Sequence, residues 1–330
     1  MKAIQIQKNG NDPIALIETN KPETGDRQVL VQIKAAALNR RDQWIREGLY
    51  PGITPGVTLG SDGCGIVVDG PDALKGQEVI INPNDHWGDE SKAQSKDYNI
   101  LGLPRDGTLA EYVVVDQSKI VPKPKHLNTL EAAALPLAGM TAYRALFTRG
   151  EVVQGQNVLI TGAGGGVSQF AILFARMAGA NVYITSGSDV KITKVLSEGA
   201  VEGFNYRDAD WVKKAKATVS SGFDAIIDSA AGDSVNNYIK LIKPGGNIVF
   251  YGATAGKPAD LDIFRLYWSQ ANIKGSTMAS DDEYARMVSF VEKHEVRPPI
   301  DSVYEMEDFV DAFDRIKSNH HMGKIVISIS

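Results

Sequence analysis

Short apolar runs alternate with polar stretches over about the first 119 residues of the chain. Runs such as 28–33 and 78–81 are rich in β-branched residues and have the length of strands. Glycine and proline recur between them, which is typical of tight turns. The pattern predicts a compact, mostly antiparallel β domain. The polar stretch 82–107 contains no comparable run, and we expect a long surface loop there.

The period changes after the proline-rich segment 121–124, where apolar strands begin to alternate with helices. Strands are predicted at 157–161, 181–185, 223–228 and 246–252, with helices ending at 177 and covering 189–197 and 234–242. This alternation predicts a parallel sheet with right-handed crossovers, which is a doubly wound α/β fold. Two further helices, 282–292 and 307–317, and the strand 324–328 form a segment too short to be a domain.

A glycine-rich turn joins the strand 157–161 to the following helix. Glycines let backbone N–H groups approach a pyrophosphate, and a helix N-terminus favours its negative charge. A tight strand-to-helix turn without a ligand is the alternative. The flanking strand and helix and the second strand favour a dinucleotide site. Ser168 replaces the last glycine of the usual pattern, and the candidate residues are Gly162, Ala163, Gly164, Gly165, Gly166 and Val167.

The end of the second strand bears on the choice of cofactor. NAD sites usually have a carboxylate there to bind the ribose 2′-hydroxyl, whereas this chain has Ser186 and Ser188. Lys191 follows, and its ammonium can pair with a 2′-phosphate or can simply be a solvated helix residue. Asp189 lies nearby but can point elsewhere as a helix N-terminal residue. These residues favour NADP(H) over NAD(H).

Charge and cysteine content narrow the class of protein. A formal net charge of -5 without a Lys/Arg-rich run argues against nucleic-acid binding. No apolar stretch approaches the roughly 20 residues of a membrane helix, so a cytoplasmic location is expected. The single cysteine, Cys64, excludes an intramolecular disulfide and a multi-thiolate zinc site. Its glycine neighbours suggest a small buried residue rather than a nucleophile.

Several motifs along the whole chain resemble the medium-chain dehydrogenase/reductase superfamily, and within it the zinc-free quinone oxidoreductase branch. They are AALNRRD at 36–42, GLYP at 48–51, PGVTLGSDG at 55–63, GTLAEY at 107–112, LAGMTAY at 137–143 and GKIV at 323–326. The resemblance implies a GroES-like catalytic domain (1–121), a Rossmann dinucleotide-binding domain (122–272) and a segment (273–330) that returns to the catalytic domain. It also implies an active site in the cleft and a homodimer formed through a sheet edge, at 247–253 or 272–277.

The resemblance further implies a site without metal. Zinc-dependent members bind zinc through a Cys, a His followed by Glu, and a further Cys or Asp. The matching places here hold Asn39, Ser61 with Asp62, and Leu137, which make no zinc site. Hydride transfer from NADPH to a quinone, enone or aldehyde-type substrate then needs only hydrogen-bond donors at the substrate oxygen. Asn39 and Tyr50 are the implied catalytic residues, although Tyr50 can equally be an aromatic that shapes an apolar pocket.

The remaining cofactor contacts also come from the resemblance. It places Thr141 near the nicotinamide, Lys191 and Tyr206 near the adenosine phosphate, and four residues at the ends of later strands, namely Ser229, Phe250, Gly252 and Ala253. Arg40 and Arg41 have no explanation in the sequence. Two alternatives stay open: a zinc-free alcohol dehydrogenase, and an NADPH-binding structural or regulatory protein of the same fold.

Overall fold

The computed structural model describes residues 1–8 and 12–329. The chain forms two compact units, which we call unit 1 (Met1–Ala138 with Ser280–Ser330) and unit 2 (Gly139–Ala279). The predicted domain limits, after residues 121 and 272, come earlier in the chain than the limits of these units, which fall after residues 138 and 279. Elements are numbered below in chain order.

Unit 1 begins with a series of mostly antiparallel strands. They are β1 Lys2–Ile6, β2 Ile14–Glu18, β3 Gln28–Ala37, β4 Asp62–Asp69, β5 Glu78–Ile81, β6 Asn84–Asp85, β7 Asn99–Ile100, β8 Tyr112–Asp116 and β9 Ile120–Pro122. The helices are α1 Arg40–Arg46, α2 Thr129–Ala134 and α3 Pro136–Tyr143, of which α3 continues into unit 2. Helix α2 packs on β3 and β4, so this part of the chain belongs to unit 1 although the change in sequence period precedes it.

The stretch 82–107 is only in part the surface loop that the sequence predicts, since residues 88–94 are exposed without regular structure while both ends of the stretch are anchored. Strand β6 pairs with β7, and Trp87 is buried with its ring edge-on to Tyr98 at 5.2 Å between centroids. Leu101 and Leu103 are buried in the hydrophobic core of unit 1. These apolar anchors are too widely spaced to produce a strand or helix period, which is why the sequence did not indicate them.

Unit 2 contains the parallel sheet. Its strands are β10 Asn157–Ile160, β11 Asn181–Ser186, β12 Glu202–Asn205, β13 Phe223–Asp228, β14 Ile242–Phe250 and β15 Asn272–Gly275, and its helices are α4 Gly166–Met177, α5 Asp189–Ser197, α6 Trp211–Thr218, α7 Ser234–Leu241 and α8 Ile263–Ser269. The strand order is β12-β11-β10-β13-β14-β15, with every pairing parallel. The predicted doubly wound sheet is confirmed. Strand β14 has neighbours on both sides, so 247–253 is not an edge, whereas β15 is.

The final segment returns to unit 1. It contains α9 Asp281–Lys293, β16 Ile300–Glu305, α10 Phe309–Lys317 and β17 Lys324–Ser328. Strand β17 pairs with β3, which gives the sheet order β16-β17-β3-β4-β5-β9, and β8 adds to β3. Because β17 pairs with β3, residue 324 lies near the start of α1 in space, although the two are far apart in the sequence. The β-rich GroES-like unit is thus confirmed together with the α/β unit.

Candidate functional site

The carboxyl ends of the parallel strands form one edge of unit 2, and the chain reverses its winding direction between β10 and β13. Open α/β sheets bind ligands at such a switch point. Gly162 follows β10 with φ +64°, in the left-handed region, and a Cβ added there would meet nothing within 4 Å. Helix α4 begins after Gly165 without a side-chain cap, so the N–H groups of its first turn are available to an anion.

Hydrogen bonds from neighbouring residues fix the conformation of the glycine loop. Ser168 donates its hydroxyl to Thr161 O at 2.9 Å and lies 2.9 Å from the hydroxyl of Tyr251. Ala163 N donates to Thr185 O at 3.0 Å, and the Gln169 side chain donates to Ala163 O. Ser168 therefore fastens α4 to the end of β10, a contact that the glycine usual at this position could not make.

The second strand ends in hydroxyl groups. Ser188 caps α5, and its backbone N–H donates to Ser186 Oγ at 3.2 Å. The Asp189 carboxylate accepts a hydrogen bond of 2.8 Å from the Asn205 side chain. That bond ties Asp189 to the end of β12. Lys191 lies in the first turn of α5, half-buried.

Sequence reasoning missed a cation beside this loop, Arg207. A Cβ added at Gly187 would lie 2.7 Å from Tyr206 Oη and 2.9 Å from Arg207 Nε, so both side chains lie over the Ser186–Ser188 turn. Arg207 is exposed and forms no ion pair within the described ranges. Strand β12 was not predicted, since its Glu-Gly-Phe-Asn sequence has no strand period, and the cation that follows it went unnoticed.

The other predicted cofactor residues divide into two groups. Ser229, Phe250, Gly252 and Ala253 follow or end β13 and β14, and a Cβ at Gly252 would lie 3.0 Å from Ser229 O. These turns therefore pack closely at the same edge as the glycine loop. Thr141 lies on α3 instead, buried, with its hydroxyl 3.8 Å from the sulfur of Met278.

In unit 1, Asn39 lies at the centre of a buried polar cluster. It is the N-cap of α1, and its backbone N–H donates to Asp42 Oδ2 at 2.7 Å. Its side-chain Nδ2 donates to Asp62 Oδ2 at 2.9 Å, while its Oδ1 accepts from Lys324 Nζ at 2.7 Å. The amide is held from both sides, and its second N–H has no protein partner within the described ranges.

Lys324 completes this cluster and was not identified from sequence as a site residue. Its ammonium, 3% exposed, also donates to Asp62 Oδ2 and to Leu38 O, each at 2.8 Å. Leu137 N donates to the other oxygen of Asp62 at 2.7 Å. Lys324 is separated from Asn39 by 285 residues, and only the pairing of β17 with β3 brings them together.

Arg40 and Arg41, unexplained in the sequence, have different surroundings. Arg40 donates to Ile316 O at 3.0 Å and to Asn319 Oδ1, and so caps the end of α10. Arg41 is 7% exposed, and its Nη1 donates to Ser61 Oγ at 2.7 Å and to Leu101 O at 2.9 Å. Its guanidinium lies 5.0 Å from the centre of the Tyr50 ring. Arg40 is thus structural, while Arg41 borders the predicted catalytic tyrosine.

Burial controls two ionisable groups near this cluster. It raises the pKa of the Cys64 thiol to about 12, and the predicted burial of this small residue is confirmed. Burial also raises the pKa of Asp42, against the lowering effect of the Arg41 charge and of the Asn39 backbone N–H. The carboxyl of Asp42 is thereby shifted toward its neutral form.

The residues at this cluster do not fit a zinc ion. Structural and catalytic zinc takes thiolate, imidazole and carboxylate ligands in a tight tetrahedron. Here Asn39 and Asp62 are both hydrogen-bonded to the Lys324 ammonium, and Ser61 is bonded to the Arg41 guanidinium. Over residues 1–8 and 12–329, no group of three His, Cys, Asp or Glu side chains could hold a metal.

Comparison with known proteins identifies the family. Residues 25–125 match the alcohol dehydrogenase GroES-like domain, and residues 166–293 match the zinc-binding dehydrogenase model. The zinc-type alcohol dehydrogenase-like protein YogA of Leptosphaeria maculans is 37% identical over 96% of this chain and 95% of its own. The chain belongs to the medium-chain dehydrogenase/reductase superfamily.

Other members of the superfamily match over nearly the full length. Quinone oxidoreductase of Mus musculus is 29% identical over 99% of this chain and 97% of its own. A crystal structure of an NAD-dependent alcohol dehydrogenase has a TM-score of 0.92 and 33% identity, with complete coverage of both chains. The protein is therefore an oxidoreductase of a family that binds NAD(P). Throughout the described residues, no helix has the length and apolarity needed to cross a membrane.

Proposed function

We propose that this protein is an NADP(H)-dependent reductase of quinones or activated C=C bonds that works without zinc. The observation that carries the proposal is the pair of buried cations, Lys324 and Arg41, bonded to the positions where zinc-dependent members of the superfamily have metal ligands. Alcohol oxidation without a Lewis acid is difficult. Reduction of an enone or quinone needs only donors for the charge that develops on oxygen.

The proposed chemistry is a hydride transfer. NADPH, when bound, supplies the hydride, which adds to the β-carbon of an enone or to a quinone. Asn39 has a fixed amide with one N–H left for a ligand, and we assign it to orienting the substrate or the nicotinamide ribose. Tyr50, half-buried, offers a hydroxyl to the substrate oxygen or shapes the apolar wall beside it. A proton from solvent completes the reduction.

The preference for NADP(H) rests on the end of β11. Ser186 and Ser188 leave no carboxylate to repel a 2′-phosphate, and Asp189 is held by Asn205. Arg207 and Tyr206 lie over the same turn, and we add Arg207 to Lys191 as a phosphate partner because its planar fork suits that group. The glycine loop and the uncapped start of α4 receive the pyrophosphate.

The test is an assay of the full chain with both cofactors. NADPH and NADH oxidation is measured with an enone, a quinone and an aldehyde, and NADP+ reduction with primary alcohols. We expect NADPH oxidation by the enone or quinone to exceed alcohol oxidation at least roughly tenfold, about 1.4 kcal/mol in barrier. Dominant alcohol oxidation would favour the dehydrogenase suggested by the names of its relatives. Tight NADPH binding without any turnover would favour a structural or regulatory role.

We also propose that the protein is a homodimer formed through β15. This strand is an unpaired edge of the sheet in unit 2, which is a template for pairing with a second copy. Helix α8, just before it, exposes large apolar side chains, including Phe264 at 68% and Trp268 at 76%. Contiguous exposed apolar residues beside an open edge favour association. Sedimentation equilibrium measures the state directly.

A further inference from the structure

The charge of Arg41 is placed where general electrostatics disfavours it. Arg41 lies in the first turn of α1, next to Arg40, and the N-terminal end of a helix carries a positive partial charge. The side chain is also 7% exposed, and burial of a cation is costly unless it is paired. Both the position and the burial of this charge cost stability, and such costs are typical of residues that serve a function.

No carboxylate compensates this cation directly. Among residues 1–8 and 12–329, Arg41 forms no salt bridge, and its hydrogen-bond acceptors are neutral oxygens of Tyr50, Ser61, Leu101 and Leu103. Asp42 is the neighbouring carboxyl, but it accepts the Asn39 N–H and burial raises its pKa. The hydrogen-bond partners of the guanidinium within the described ranges are therefore all neutral, and its ring contact is with Tyr50 at 5.0 Å.

The orientation of the guanidinium is fixed by one of its nitrogens. Nη1 makes the two short bonds, to Ser61 Oγ at 2.7 Å and to Leu101 O at 2.9 Å, and Ser61 in turn donates to Leu101 O at 2.8 Å. Nε and Nη2 make only long contacts of 3.5 Å, to Tyr50 Oη and Leu103 O. The Nε–Nη2 edge, on the side of Tyr50, thus retains donor capacity while its direction is set.

We propose that the Nε–Nη2 edge of Arg41 binds the carbonyl oxygen of the substrate and stabilises the negative charge which that oxygen gains during reduction. The proposal rests on the reductase function above. The C–H bond of the dihydronicotinamide breaks, and its electron pair forms the new C–H bond at the β-carbon of the enone. The C=C pair shifts toward the carbonyl, which becomes an enolate oxygen, and a proton from water yields the saturated ketone while NADPH becomes NADP+. Arg41 stays protonated throughout, so it is a charge stabiliser and not the proton source.

The experiment compares Arg41→Gln and Arg41→Lys with the control Arg40→Gln, which removes the other arginine of the same helix turn. NADPH binding to each protein is titrated by fluorescence, and kcat and KM are measured with a neutral enone. We expect Arg41→Gln to lower kcat about 10²- to 10³-fold, as for loss of an oxyanion donor, with NADPH binding within about twofold of the wild type. Arg41→Lys retains the charge without the fork and should recover part of the loss. Arg40→Gln should keep kcat within about twofold, because Arg40 caps α10.

Three results would overturn the assignment. A kcat of Arg41→Gln close to the wild type would show that the charge is not used in the reaction. Weakened NADPH binding would make Arg41 a cofactor ligand, and a KM increase confined to substrates that carry a carboxylate would make it a ground-state anion site. If Arg41→Gln does not fold by circular dichroism, the Arg41→Lys protein decides, since its kcat should fall at an unchanged melting temperature. A wild-type protein that oxidises NADPH with neither an enone nor a quinone would instead contradict the proposed reductase function itself.

Discussion

The candidate sites in unit 2 and in unit 1 are built from different parts of the chain. The proposed nucleotide edge of unit 2 is made mainly of backbone: a left-handed glycine, an uncapped helix start and the ends of parallel strands. The cluster of unit 1 is made mainly of side chains from three separate segments, those of Asn39, Asp62 and Lys324, joined by the backbone N–H of Leu137. A backbone site leaves its signature in consecutive residues, whereas a side-chain cluster depends on which strands pair. A backbone site can therefore be found from the sequence pattern, whereas a side-chain cluster is found only in the folded chain.

The largest effect should come from breaking the side-chain cluster. Lys324→Met removes the ammonium from a fully buried carboxylate, Asp62, and should lower the free energy of unfolding by about 3 kcal/mol. Chemical denaturation measures the loss. The double variant Lys324→Met/Asp62→Asn removes both charges and should recover at least half of it, in a double-mutant cycle. A loss below about 1 kcal/mol for the single variant would show that the pair is not strongly coupled.

An intermediate effect is expected at the glycine loop. Gly162→Ala places a Cβ on a left-handed residue at the ligand edge, and Gly155→Ala does the same at φ +81° ahead of β10, again with nothing within 4 Å. Both should cost a similar amount of stability, about 1 kcal/mol. Only Gly162→Ala should weaken cofactor binding, roughly thirtyfold or about 2 kcal/mol, and equally for NADPH and NADH. Equal binding by the two variants would remove the loop from the cofactor site.

The smallest effect separates the two cofactors. Arg207→Gln should weaken NADPH binding about tenfold, a loss of about 1.4 kcal/mol, because a phosphate contact is lost. NADH binding should stay unchanged, since it has no 2′-phosphate. Isothermal titration with both cofactors gives the comparison, and Lys191→Ala should act in the same direction. Loss of NADH binding together with NADPH would instead assign a structural role to the substituted residue.

The same contrast explains what sequence could predict. Four strands of unit 2, the glycine turn and the helix 189–197 follow from local periodicity, and the structure has them at or close to the predicted positions. Arg207 was missed because β12 is short and its residues show no period. Lys324 and Arg41 carried no local signal, since their partners are distant carbonyl, hydroxyl and carboxylate groups. The motifs around them indicated the family but not these contacts.

The central claim is that this protein is a reductase that uses buried cations instead of zinc. It is tested most directly by comparing NADPH oxidation with the zinc content of the protein. Zinc bound to the purified protein is quantified by mass spectrometry, and NADPH oxidation by an enone and a quinone is followed before and after dialysis against a chelator. We predict full activity in protein with far less than one zinc per chain, unchanged by the chelator and by added zinc. Activity that rises in proportion to bound zinc, or that is lost with the chelator and restored by zinc, would contradict the proposal.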